Sequence, residues 1–157
     1  MHLSERALSM RDRLLGITRK VDWLPLLLIR ASLAAVFIPS GWGKLHSLDK
    51  VTGFFTELGI PAPHFHAVLV AVSEFGCGTL LLVGLVSRLA AIPLVISMTV
   101  AIVTAKRPDI SGIVDLFAVD EFLYIVMAIA VLVLGAGAVS ADGVIGRRFG
   151  KRGTTHS

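Results

Sequence analysis

Arg30, Lys44 and Glu74 are ionisable residues inside stretches otherwise built from aliphatic side chains, and Glu121 stands at the edge of another. A charge at membrane depth is expensive and normally faces the interior of a helix bundle, paired or lining a wet cavity. Two cations and two anions predict pairing. The chemistry available to such a set is a hydrogen-bond donor for a small oxyanion or carbonyl, from Arg30 or Lys44, beside a carboxylate able to relay a proton. The competing reading is that the pairs only fix helix register and orientation.

Helical spacing groups further residues with these four. Arg30, Ala34, Phe37, Gly41 and Lys44 recur at alternating intervals of four and three, so they share one helix face. A neighbouring stripe of small residues, Ala31, Ala35, Pro39 and Gly43, predicts close helix approach. Glu74, Cys77, Leu81, Gly84 and Arg88 form a second such face, and Glu121, Tyr124, Ala128 and Gly135 a third. Cys77, Tyr124 and Arg88 are therefore secondary candidates. Cys77 is the only cysteine, which excludes an intramolecular disulfide, and as a buried small hydrophobe it needs no redox role. His46, His64 and His66 are weak metal candidates: His64 and His66 diverge on a helix and converge only if Pro63 keeps them extended, so no metal site is expected. Met98 and Met127 read as packing residues.

The elements that carry these faces are four apolar segments, at about 24–45, 67–86, 89–105 and 122–139. Each is near the roughly 17–25 residues that a helix needs to cross a bilayer. The chain is 55% hydrophobic over 157 residues, above the roughly 45–50% of soluble domains. The spans and their loops leave no room for a soluble catalytic domain. The fold class expected is all-α: an integral membrane antiparallel four-helix bundle, spanning residues 23–142 as one domain. In that arrangement Arg30 and Glu74 come out roughly 9 Å apart in depth, which two extended side chains can close, and an Arg30–Glu74 pair is the leading contact. Lys44 and Glu121 fall together at the outer edge.

A net charge of +4 raises nucleic acid as a partner, but the distribution points to a lipid bilayer instead. Arg6, Arg11, Arg13, Arg19 and Lys20 precede the first span, Arg88 lies in the second connection, and Arg147, Arg148, Lys151 and Arg152 follow the last span. Basic residues concentrated beside span ends mark the cytoplasmic side, so both termini are expected there. Leu3, Ala7, Met10, Leu14, Ile17 and Val21 make an apolar face, and residues 1–22 read as a basic amphipathic helix on the membrane surface or against the bundle. Residues 49–58 read as a short helix closed by Gly59, Pro61 and Pro63. In the second outer segment, Ile110, Ile113, Leu116 and Phe117 suit the interface. The tail over 143–157 is basic and Gly-rich and is expected to be mobile.

The ordered set Arg30, Phe37, Gly41, Lys44-Leu45, Phe54-Phe55, Gly59-Ile60-Pro61, Glu74, Gly76, Gly84, Arg88, Ala90-Ala91, Glu121, Gly135-Ala136-Gly137, Ser140 and Asp142 resembles the DoxX family of small bacterial four-helix membrane proteins. The resemblance covers roughly residues 24–142. It implies a multi-pass protein of the bacterial inner membrane, and it places Arg30, Lys44, Glu74 and Glu121 at recurring charged positions of the family. It further implies association with a quinone-linked or thiol- and sulfur-linked redox or oxidative-stress system, through a membrane or peripheral redox partner. No haem, flavin or nucleotide motif is present and the sequence names no cofactor; the redox association that the resemblance implies leaves quinone as a candidate. A small transporter or copper- or zinc-stress protein is the alternative, and a structural membrane partner without its own ligand the third; a homo-oligomer is a further candidate assembly.

Overall fold

The computed structural model describes residues 22–150. The amphipathic helix expected at the N-terminus falls outside that range except for Asp22, as do residues 151–157 of the tail. All regular structure among the described residues is helical: α1 (Leu24–Leu45), α2 (Leu48–Glu57), α3 (Pro63–Val83), α4 (Ser87–Ala101), α5 (Ile113–Ala118), α6 (Asp120–Leu134) and α7 (Ala141–Gly150). A π turn, Ile102–Lys106, and a 3-10 turn, Arg107–Asp109, continue α4.

Local chemistry sets the ends. Pro25 lies in the first turn of α1, where its missing N–H costs nothing, and Lys44 in the last turn faces the negative end of the helix dipole. Pro63 opens α3 in the same way, ahead of the expected start of that span at Ala67. Gly84, at φ +74°, closes it: its N–H donates to the Leu81 carbonyl and the Leu85 N–H to the Leu80 carbonyl, the paired bonds of a Schellman motif. The turn thus comes at Gly84–Val86, and α4 starts at Ser87 rather than at Leu89.

Among the described residues three helices are long and apolar enough to cross a membrane: Leu24–Leu45, Pro63–Val83 and Ser87–Lys106. The expected fourth span is shorter. Gly135, at φ +86°, ends α6 at Leu134, and the helix is 15 residues long. Its length is about 22 Å. The described part of the tail is helical. Residues 141–150 are helical, because the Ser140 hydroxyl caps the new helix by accepting from the Gly143 N–H at 3.0 Å.

α1 packs most extensively on α3, and α4 on α6; α2 lies along α3, and α3 meets α4 through their shared turn. The core is a single cluster in which Leu33, Phe37, Leu81, Leu94 and Val131 are fully buried. Many large apolar side chains, including Leu28, Leu69, Leu89, Ile96 and Leu123, remain exposed on the outside of the helices. A soluble monomer does not sustain that much exposed apolar surface, whereas acyl chains cover it without penalty.

Two glycines set how α1 and α3 meet. A Cβ at Gly41 would overlap the Phe75 backbone, and one at Gly78 would stand 3.1 Å from Ile38. The pair therefore runs antiparallel with residue 41 opposite 75 and 38 opposite 78. The small stripe Ala31, Ala35, Pro39 and Gly43 is not the contact: Ala35, Pro39 and Gly43 are exposed, and nothing lies within 4 Å of a Cβ placed on Gly43.

Candidate functional site

The charged residues separate into two clusters, one toward each end of the molecule. Glu74 is fully buried on α3, and its carboxylate meets two groups from one face of α1. Lys44 Nζ donates to Glu74 Oε1, and Ser40 Oγ donates to Oε2 at 2.8 Å. Ser40 and Lys44 lie one helical turn apart, and the tight contact at Gly41 brings that turn against α3. Side chains on a helix lean toward its N-terminus, so Lys44 reaches back along α1 to the level of Glu74. The Lys44 side chain stays 28% exposed while that of Glu74 is 1% exposed. The carboxylate is buried, while Lys44 and Ser40, which hold it, are both partly exposed. Trp42 lies beside it, its ring 5.6 Å from Phe75 and 4.3 Å from His46.

Arg30 belongs to the other cluster, so the expected Arg30–Glu74 pair does not form. The register that sets residue 41 opposite 75 places Arg30 level with the turn after α3. Measured along the α3 axis, that is roughly 18 Å from Glu74, from the helical rise of about 1.5 Å per residue. The shorter expected separation came from placing the helices by their ends. The register is instead set by the close contacts at Gly41 and Gly78, and α3 begins earlier, at Pro63.

Arg30, 1% exposed, binds carbonyls in place of a carboxylate. Its Nε donates to Leu81 O at 2.8 Å and its Nη2 to Leu82 O at 3.1 Å, in the last turn of α3, whose carbonyls lack helical partners. Its Nη1 donates to Ala136 O at 2.5 Å and Val139 O at 2.9 Å in the link between α6 and α7. A cation at the negative end of a helix is favourable in its own right. Asp142 completes this knot from α7: its carboxylate accepts from the Val86 N–H at 2.9 Å and the Ser87 N–H at 3.2 Å, at the start of α4. Losing that cap in Asp142→Ala is expected to destabilise the protein by about 0.5–2 kcal/mol. Thermal unfolding in detergent measures it, and Asp142→Asn, which keeps an acceptor, is expected to lose less.

The other candidates disperse. Glu121 lies 4.0 Å from Lys106 and not beside its expected neighbour Lys44. Tyr124 packs edge-on against Phe37, centroids 5.7 Å apart. Cys77 is half-buried against the core cluster. Arg88 is exposed near the Arg30 end and donates to Val133 O at 3.2 Å. His46 and His66 each bond the carbonyl one turn earlier, Trp42 O at 2.9 Å and Ala62 O at 3.3 Å. Among the described residues no three of His, Cys, Asp and Glu converge as a metal set. Ser40 is the site residue that spacing missed: it lies one turn before Lys44, outside the charged set.

Long apolar helices holding a buried ion pair define a multi-pass membrane protein. The chain belongs to the DoxX family, whose profile matches residues 25–107. It is 46% identical over 79 residues to the uncharacterized membrane protein Rv3486 of Mycobacterium tuberculosis, an alignment covering 50% of this chain and 48% of that one. It is 30% identical over 74 residues to the inner membrane protein YqjF of Escherichia coli, covering 47% and 55% respectively. The matched region thus spans about half the length of each of these relatives. No solved structure matches the chain significantly.

Proposed function

We propose that this chain is a four-span antiparallel bundle of the bacterial inner membrane with both termini cytoplasmic, and that its Lys44–Ser40–Glu74 site holds a quinone headgroup for a redox partner. α6 serves as the fourth span in this reading; its short length is accommodated by local bilayer thinning. The observation that carries the proposal is a fully buried carboxylate bonded to a partly exposed ammonium, with the Trp42 and Phe75 rings alongside. An ammonium donates to a quinone carbonyl, a carboxylate accepts a proton from the reduced ring, and aromatic rings offer it a flat apolar surface. The electrons pass to or from a separate redox protein.

A transport path has less support, because Leu33, Phe37, Leu81, Leu94 and Val131 form a fully buried apolar layer between Glu74 and Arg30. The packing reading suits Arg30, whose guanidinium is engaged by backbone carbonyls. Quenching of tryptophan fluorescence by a short-chain quinone in nanodiscs tests the proposal. Saturable quenching is expected in the native protein and in Lys44→Arg. It is expected to weaken about tenfold in Lys44→Met, the loss of one charge-assisted bond. Equal quenching in all three would remove the site.

A further inference from the structure

We propose that the groove between α1, α3 and α7, at the Arg30 end, binds one anionic phospholipid, its phosphate on Arg147 and an acyl chain along the groove wall. The groove has a volume of about 450 Å³ and is walled mainly by aliphatic side chains, among them Leu27, Leu82, Val139 and Val144. Two arginines, Arg30 and Arg147, complete its lining, and no carboxylate does. Arg30 has no acidic side chain within ion-pair distance among the described residues. Its charge, held by carbonyl dipoles, has no ion-pair partner at the groove floor. Asp142, the acid that acts on Arg30 through space, lines the adjoining groove and not this one, and each of its oxygens accepts an N–H from the start of α4.

Arg147 is exposed at the mouth. Among the described residues it makes one hydrogen bond, from Nη1 to Ala138 O at 3.2 Å. That uses one of the guanidinium's several donors. A guanidinium binds phosphate oxygens in a fork. An apolar trough with an exposed guanidinium at its mouth matches a ligand that is anionic at one end and aliphatic at the other, and free phosphate would leave the trough unused. The site also lies where α1 begins and α3 ends, the level at which headgroups stand beside spanning helices, and basic recesses between helices there recognise acidic headgroups.

The test is native mass spectrometry of the full chain in micelles containing equal phosphatidylglycerol and phosphatidylcholine. One retained phosphatidylglycerol is expected. Arg147→Gln should reduce its retention about tenfold, the scale of one charge-assisted contact. Arg148→Gln, one residue outside the groove lining, should not. Ala138→Phe, which fills the trough without removing charge, should abolish retention while helical content is unchanged. Equal losses from Arg147→Gln and Arg148→Gln would mean diffuse surface attraction and overturn the site. So would displacement by millimolar inorganic phosphate, or indifference to the two lipids.

Discussion

Replacing Lys44 with methionine is expected to destabilise the protein by about 3–5 kcal/mol, because it leaves the Glu74 carboxylate buried beside nothing but a serine hydroxyl. Glu74→Leu is expected to do less harm, since the stranded ammonium is already partly exposed and can extend toward the surface. The double variant Lys44→Met/Glu74→Leu should be more stable than Lys44→Met alone, as two well-packed apolar side chains replace a desolvated pair. Arg30→Leu/Glu74→Leu behaves differently: the two residues share no partner and lie roughly 18 Å apart, so their losses should add within about 0.5 kcal/mol. Reversible unfolding in mixed micelles at increasing dodecyl sulfate measures all of these. Coupling between Arg30 and Glu74, or additivity between Lys44 and Glu74, would contradict the observed pairing.

Gly41→Ala and Gly43→Ala should give opposite results although only two positions separate them. The methyl at 41 runs into the Phe75 backbone, which cannot rotate away as a side chain can, so α1 and α3 must part. Overpacking of that kind costs about 1–3 kcal/mol. It should also carry Ser40 and Lys44 off Glu74, so the variant should lose quinone-dependent quenching as well as stability. The methyl at 43 meets open space. Glycine to alanine inside a helix gains up to about 1 kcal/mol. Melting temperatures of the two variants in one detergent compare them directly, and a destabilised Gly43→Ala would mean that the stripe is buried against something after all.

The buried face of α1 was legible because its spacing repeats with the helix: Arg30, Ala34, Phe37 and Gly41 all proved buried. Helix type and the apolar character of the spans were legible for the same reason. Partner choice was not. Residues 41 and 43 are both glycines, one on the charged face and one in the small-residue stripe, and periodicity alone does not tell which one touches a neighbour. That contact sets the register, and the register decides whether Glu74 meets Arg30 or Lys44. Ser40 escaped notice because a hydroxyl carries no hydropathy signal strong enough to stand out in a span. Asp142 was visible only as part of a family pattern, since the two N–H donors it caps, on Val86 and Ser87, are far away in sequence. The helix at 141–150 was masked by glycine content, which lowers helix propensity without preventing a capped, anchored helix from forming.

The apolar layer between the two clusters has an electrical consequence. Leu33, Phe37, Leu81, Leu94 and Val131 lie between the two clusters and are fully buried, so a charge moving past Glu74 toward Arg30 would have to cross apolar side chains. Glu74 lies about half-way along α3, so a proton delivered to it from that side has traversed roughly half of the hydrocarbon thickness. A full crossing is worth about 2.3 kcal/mol per unit charge at about 100 mV. A mobile cation drawn to the depth of Glu74 would therefore feel about half that amount, whereas the Arg30 guanidinium is held in place by four carbonyls.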